Sequence, residues 1–155
     1  MINHLNKKNQ PTIVNISNKK QSKRTAIAQG TVQFSKKTYK EIESFKTKKG
    51  EIINTSIIAG ILGAKKTTEI IPLCHNIFIE NINIDINASK KNSSFIITCK
   101  VESFGKTGVE MEALMGVSVS CLTVYDMCKY IDKKIIIHEI KLLKKTGGKT
   151  DYLKK

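Results

Sequence analysis

A thiol and an imidazole stand side by side at Cys74-His75, inside the run Ile71-Pro72-Leu73-Cys74-His75-Asn76-Ile77. Three roles are open to such a pair: half of a metal site, a thiol nucleophile with its base, or packing. A metal needs two or three more ligands. The other histidines are His4, near the N-terminus, and His138, in a strand-like run. No two of Cys74, Cys99, Cys121 and Cys128 have the close spacing of a zinc knuckle or a redox dithiol. Nothing marks a preset metal site. A catalytic thiol and its base are usually distant in sequence, and neighbours on an extended chain point to opposite sides. One of the pair therefore faces the core, and buried cysteine is the common case. This reading assigns Cys74 to packing and His75 to a cleft.

Asp126 and Lys129 are three residues apart in a helical pattern, so their side chains are neighbours. They form either a surface ion pair or a carboxylate and ammonium that tune each other for proton transfer. Glu110 and Glu112 sit just after Gly108, where the same helix begins, and acids suit that dipole end. Glu112 precedes Asp126 by fourteen residues, which on a straight helix is ~21 Å along the axis at 1.5 Å per residue. One small-molecule pocket does not comfortably span that. If both acids serve one ligand, the helix bends or the site draws them from two chains.

Gly-Lys-Thr occurs at 105–107 and 148–150, but a P-loop needs a glycine where Lys100 and Leu143 stand. The run Lys144-Lys145-Thr146-Gly147-Gly148-Lys149 still surrounds a Gly-Gly turn with ammoniums, which can hold phosphate. A solvated tail is the other reading, and composition alone favours it. Arg24 is the only arginine in the chain. Either it survives by chance or its position needs a planar fork that grips phosphate or carboxylate with two bonds.

These groups must be positioned by a chain of 155 residues with 27 Lys+Arg, 13 Asp+Glu and a formal charge of +14. The length suits one compact domain over 1–155, with 1–10 as a loose arm. The charge favours anionic partners, although the Ile, Lys and Asn excess also fits AT-rich codon usage. The N-terminus has no secretory pattern and no apolar stretch approaches membrane-spanning length, so a cytoplasmic protein with reduced thiols is expected. Residues 12–17 and 25–34 read as strands, and Ser35 as the N-cap of a helix over 36–45. Residues 50–66 read as a helix with an apolar stripe and small residues that permit close packing. Pro72 limits any helix before it. Residues 77–88 and 94–104 alternate as a hairpin, 108–131 form a long helix, and 134–143 a last strand. The class is α+β, with helices on an antiparallel sheet.

Three segments, "GEIINTSIIAGILGAKKTTEIIPLCHNI", "GKTGVEMEAL…SVSCLTVYDMCK" and "LLKKTGGKT", are similar in order and spacing to the cyclic pyranopterin monophosphate synthase (molybdenum cofactor biosynthesis protein C) family. The resemblance extends over about residues 11–151. It implies a ferredoxin-like subunit in a hexamer built from dimers, with active sites where two subunits meet. The implied reaction turns (8S)-3′,8-cyclo-7,8-dihydroguanosine 5′-triphosphate into cyclic pyranopterin monophosphate and pyrophosphate. It implies catalytic roles for Lys49, Asp126 and Lys129. Substrate contact is implied for Leu73, Cys74, His75, Met111 and Glu112, and phosphate contact for Arg24 and Lys145. A lysine among other cations titrates low, so Lys49 or Lys129 is expected to exchange protons near neutral pH. No resident cofactor, nucleic acid or membrane is implied; magnesium can ride on the triphosphate. Asn15 replaces the family's usual Asp, Asn76 its usual Pro, and Thr68-Glu69 a common Trp-Asp pair. The alternative class is a small basic nucleic-acid-binding α+β domain, which needs aromatics on a sheet face, and the hairpin offers only Phe78, Phe95 and Phe104.

Overall fold

The structure is a computed structural model and describes residues 4–6 and 8–154; residues 1–3 and 7 of the expected arm, and Lys155, lie outside the described residues. The chain runs β1 (Ser22–Gln33), α1 (Lys36–Glu41), β2 (Lys46–Thr47), β3 (Gly50–Glu51), α2 (Ile52–Lys65), α3 (Thr67–Ile70), β4 (Asn81–Ser89), β5 (Ser94–Gly105), α4 (Glu110–Cys128), β6 (Ile136–Thr146) and β7 (Tyr152–Leu153). Five strands form one antiparallel sheet in the order β4-β5-β1-β6-β7. The long elements follow the β-α-β-β-α-β sequence of a ferredoxin-like fold. The expected α+β architecture is present.

Period-two alternation decides which sheet face is buried. Ala26, Ala28 and Val32 of β1 and Phe95, Ile97, Cys99 and Val101 of β5 point inward under α4. Asn81, Asn83, Asp85 and Asn87 of β4 take the wet face. Phe95 packs edge-on against Phe34 and Tyr39, with ring centroids 5.0 and 6.1 Å away, and so is withdrawn from the wet face. Ser35 caps α1 as expected, its hydroxyl accepting from the Thr38 amide at 3.1 Å. Glu51 caps α2 by accepting from the Ile53 and Asn54 amides.

Small residues bring α2 and α4 together at backbone distance. A Cβ on Gly60 would overlap the Ser120 hydroxyl and lie 2.8 Å from the Gly116 carbonyl oxygen. The Ser120 hydroxyl donates to the Ser56 carbonyl at 2.9 Å across the same contact. By length and composition α4 could cross a membrane, contrary to the expectation that no stretch approaches that scale. Half of its apolar window is buried here, where it forms the central core helix.

Three expected elements shift. Residues 12–17 form no strand: they join no sheet, and Ser17 already enters a turn in which the Lys19 amide donates to the Ile16 carbonyl. The strand expected from Ile77 starts at Asn81, because Phe78 and Glu80 are instead held singly: the Ser103 hydroxyl donates to the Phe78 carbonyl, and the Glu80 amide to the Glu102 carbonyl. The last strand extends to Thr146, since Lys144, Lys145 and Thr146 pair with Ile27, Ala26 and Thr25. That pairing removes the solvated-tail reading for those three residues.

Replacing Gly60 with leucine should lower unfolding stability by at least ~2 kcal/mol through overpacking at the helix contact. Urea unfolding followed by circular dichroism checks this, and an unchanged midpoint would contradict the close approach.

Candidate active site

Both ends of α4 carry candidate chemistry. At its C-terminal end, Asp126 accepts from two lysines: Lys129 Nζ lies 2.7 Å from Oδ1 and Lys49 Nζ lies 2.6 Å from Oδ2. Lys49 also donates to the Asp126 carbonyl at 2.9 Å. Lys49 reaches across because it lies in the turn between β2 and β3, where Gly50 adopts a φ of 113° that favours glycine. Its amide donates to the Thr47 hydroxyl at 3.1 Å. The hydrogen bond from Lys129, then that from Lys49, pulls the Asp126 carboxyl down to about 2. Lys129 is pushed up by its bond to Asp126. This overturns the expectation that Lys129 titrates low within the chain: its nearest charge is a carboxylate, which holds the proton on.

The N-terminal end of α4 forms one wall of a cleft with two compartments. The first, about 640 Å³, is walled by Leu73, Cys74, His75, Met111 and Glu112, with Val14, Ile16 and Ile77 adding apolar surface. The second, about 530 Å³, is lined by Lys19, Lys20, Arg24, Lys106, Lys145 and Lys149 around Gly147 and Gly148. Lys19, Thr107, Gly108 and Glu110 line both, so the two compartments adjoin.

Cys74 and His75 do not split between core and cleft. Residues 71–73 turn instead of extending, the Cys74 amide donating to the Ile71 carbonyl at 3.2 Å, and both side chains line the same compartment. Burial, and secondarily Glu112, pushes the Cys74 thiol up, which disfavours the thiolate a nucleophile requires. His75 Nε2 lies 2.6 Å from the Val14 carbonyl oxygen. A carbonyl only accepts, so Nε2 carries the proton and Nδ1 of the neutral ring is left as an acceptor. Glu112 is only 3% exposed. Burial pushes its carboxyl up, a bond from its own backbone opposes this, and Glu110 adds to the rise.

Arg24 is 8% exposed and uses its fork on main chain. Nε donates to the Gly105 carbonyl at 3.1 Å and Nη1 to the Gly147 carbonyl. The Ser22 hydroxyl joins it on Gly147 at 2.8 Å. Gly147 has a φ of 85°, and a Cβ there would overlap the Lys23 carbonyl. Arg24 thus braces the Gly-Gly turn and the loop before α4, forming the floor of the basic compartment. Lys145 Nζ pairs with Glu110 Oε1 at 3.2 Å, and Lys106 donates to the Ser17 carbonyl at 2.7 Å.

Sequence reasoning did not single out Lys19, Lys106 or Glu110 as cleft groups. The lysines were hidden among many lysines, and Glu110 was read as a dipole partner only. Asn15 keeps a local job, its side-chain oxygen accepting from the Ser17 amide at 2.8 Å, which an Asp would do equally. Nothing in the structure explains Asn76. Among the described residues no three His, Cys, Asp or Glu side chains are grouped to hold a metal ion.

A family model described as the MoaC family matches residues 13–148. The chain belongs to the MoaC family. Relatives of this MoaC-family chain named cyclic pyranopterin monophosphate synthase include one from Helicobacter pylori, 47% identical over 98% of this chain and 97% of the relative. Another from Helicobacter hepaticus is 47% identical over 96% and 94% of the two chains. One from Clostridium acetobutylicum is 42% identical over 95% and 91%. The matched span contains both ends of α4 and both compartments, apart from His4 and Lys149.

The Asp126 carboxyl should remain ionised until about pH 2. Because its folded value is depressed, the stability it contributes is present above the ordinary aspartate value of about 3.9 and is lost as pH falls through the folded value. Carboxyl-carbon NMR titration should show Lys129→Ala moving Asp126 back toward the ordinary range. No movement would mean the pair does not form in solution.

Proposed function

We propose that this chain catalyses the conversion of (8S)-3′,8-cyclo-7,8-dihydroguanosine 5′-triphosphate to cyclic pyranopterin monophosphate and pyrophosphate, a lyase step of molybdenum cofactor biosynthesis, in the cytoplasm. The observation that carries this reading is the divided cleft. Its cation-rich compartment suits a triphosphate, and its half-apolar, acid-bearing compartment suits a purine-derived ring. The relatives named cyclic pyranopterin monophosphate synthase support the same product.

Each part of the reaction then has a group to serve it. Opening the purine-derived ring and closing the pterin require repeated proton transfers. Lys49 and Lys129 exchange those protons, and Asp126 orients both ammoniums. A substrate hydroxyl attacks the α-phosphorus, the bond to the departing pyrophosphate breaks, and the hydroxyl proton passes to a base. Lys145 and the other lysines of the basic compartment offset the charge on the leaving pyrophosphate. Arg24 supports them through the Gly147 turn, and its remaining N–H groups serve the phosphates. His75 and Glu112 hold the ring, and the protonated Cys74 makes contact without attacking. Magnesium arrives, where present, on the triphosphate.

The Lys49–Asp126–Lys129 cluster and Glu112 lie ~21 Å apart along an unbroken helix. We therefore place the complete site between two subunits, the cleft from one chain and the lysine pair from another, in a homohexamer of dimers. Lys129, inserted beside the cations of another chain's cleft, would lose the proton affinity that Asp126 gives it in isolation.

Supplied with the cyclised triphosphate, wild type should release cyclic pyranopterin monophosphate and pyrophosphate. Lys129→Ala should lose about 10²- to 10⁴-fold in turnover while remaining folded, and Cys74→Ser should keep measurable activity. Near-normal turnover in Lys129→Ala sinks the proton-transfer assignment. Co-expressed Lys129→Ala and Glu112→Ala chains should recover activity that neither has alone, because some interfaces combine the intact halves. Hybrids as inactive as their parents would place the whole site on one chain.

A further inference from the structure

The arm ahead of the matched region carries one group into the cleft. His4 is exposed at the surface yet forms part of the wall of the 640 Å³ compartment that also contains His75, Cys74 and Glu112. It stands outside residues 13–148, the span of the family match. The arm is held by its own bonds. The Thr12 amide donates to the His4 carbonyl at 2.9 Å, and Leu5 bridges Pro11 in antiparallel fashion. The Asn6 side-chain oxygen accepts from the amides of Lys8 at 2.9 Å and Gln10 at 3.0 Å. The Asn6 amide donates to the Gln10 carbonyl at 2.9 Å, and its side-chain nitrogen to Gln10 Oε1 at 3.1 Å.

This fold-back is tied to the site through two successive bonds. Thr12 holds the His4 main chain, and two residues on, the Val14 carbonyl accepts from His75. The strand of chain that fixes the His75 tautomer is therefore the one against which His4 is registered.

We propose that His4 contacts the purine-derived ring of the substrate and positions it against His75 and Glu112. This deepens the function proposed above and rests on it. The assignment to the ring follows from the division of the cleft. His4 lines the compartment with apolar walls and not the other, whereas Lys20, Lys106, Lys145 and Lys149 line the other and not this one; Lys19 alone of these cations borders both. An imidazole suits this place, because it offers a flat face for stacking and one donor or acceptor for a ring edge.

The role separates from a merely structural one by ligand. In full-length Lys129→Ala protein, whose slowed turnover should leave substrate intact over the titration, calorimetry would measure binding of the cyclised triphosphate and of inorganic tripolyphosphate. Adding His4→Ala should weaken the nucleotide about three- to tenfold, the worth of one net hydrogen bond or ring contact, and leave tripolyphosphate unchanged. His4→Asn should restore part of the loss, and Asn6→Ala, which unpins the arm, should reproduce it. Equal weakening of both ligands would make the arm a general brace of the cleft and overturn the proposal, as would no change in either. If wild type fails to make cyclic pyranopterin monophosphate while the selective loss persists, the reaction assigned above falls and the His4 contact stands. If the cyclised triphosphate does not bind at all, both fall.

Discussion

The contact between α2 and α4 at Gly60, Gly116 and the Ser120–Ser56 hydrogen bond fixes one rigid rod across the sheet. α4 is one continuous nineteen-residue helix without an internal proline, gripped at backbone distance along its middle, with the Ser118 and Thr123 hydroxyls donating back to the Leu114 and Val119 carbonyls. Everything chemical hangs from its ends. The N-terminal end meets the cleft with Glu110 and Glu112, acids placed where the helix dipole welcomes negative charge. The C-terminal end bears Asp126, an acid where the dipole opposes it, and two ammoniums compensate. Fourteen residues of continuous helix separate Glu112 from Asp126 by ~21 Å along its axis.

The two acids illustrate how environment sorts identical chemistry. Asp126 stands in solvent between two lysines, and its proton is held off down to about pH 2. Glu112 is enclosed and has a like charge nearby, and its carboxyl is pushed up. The two carboxyls are thus pushed in opposite directions by their surroundings. The thiol of Cys74 completes the pattern, since burial makes it a donor of shape and weak polarity instead of a nucleophile.

Much of this was legible in the sequence, where periodicity is strong. The Asn-Ile alternation of β4 and the small-residue pattern of α2 and α4 dictate period and face, so sheet and helix pairing followed. The Asp126–Lys129 pair followed from helical spacing, and its third member, Lys49, from motif similarity alone, because a tertiary contact from the β2–β3 turn leaves no local trace. The split of Cys74 and His75 failed because it assumed an extended chain after Pro72, where the backbone turns. The phosphate-like turn at Gly147 looked like a tail because composition does not show that Lys144 to Thr146 pair with β1. His4 falls in a terminal segment that reads as a loose arm, because the bonds between Asn6 and Gln10 that fold it back leave no signal in composition.

Arg24 has a consequence for how such a chain can change over time. At every other Lys/Arg position the chain carries lysine. An ammonium can replace a guanidinium wherever a single point charge suffices. At this position two carbonyls, Gly105 and Gly147, belong to separate segments and need donors from one plane at once. A lysine lacks the planar fork to serve both, so Arg24 marks the joint that holds the Gly147 end of the basic compartment in shape.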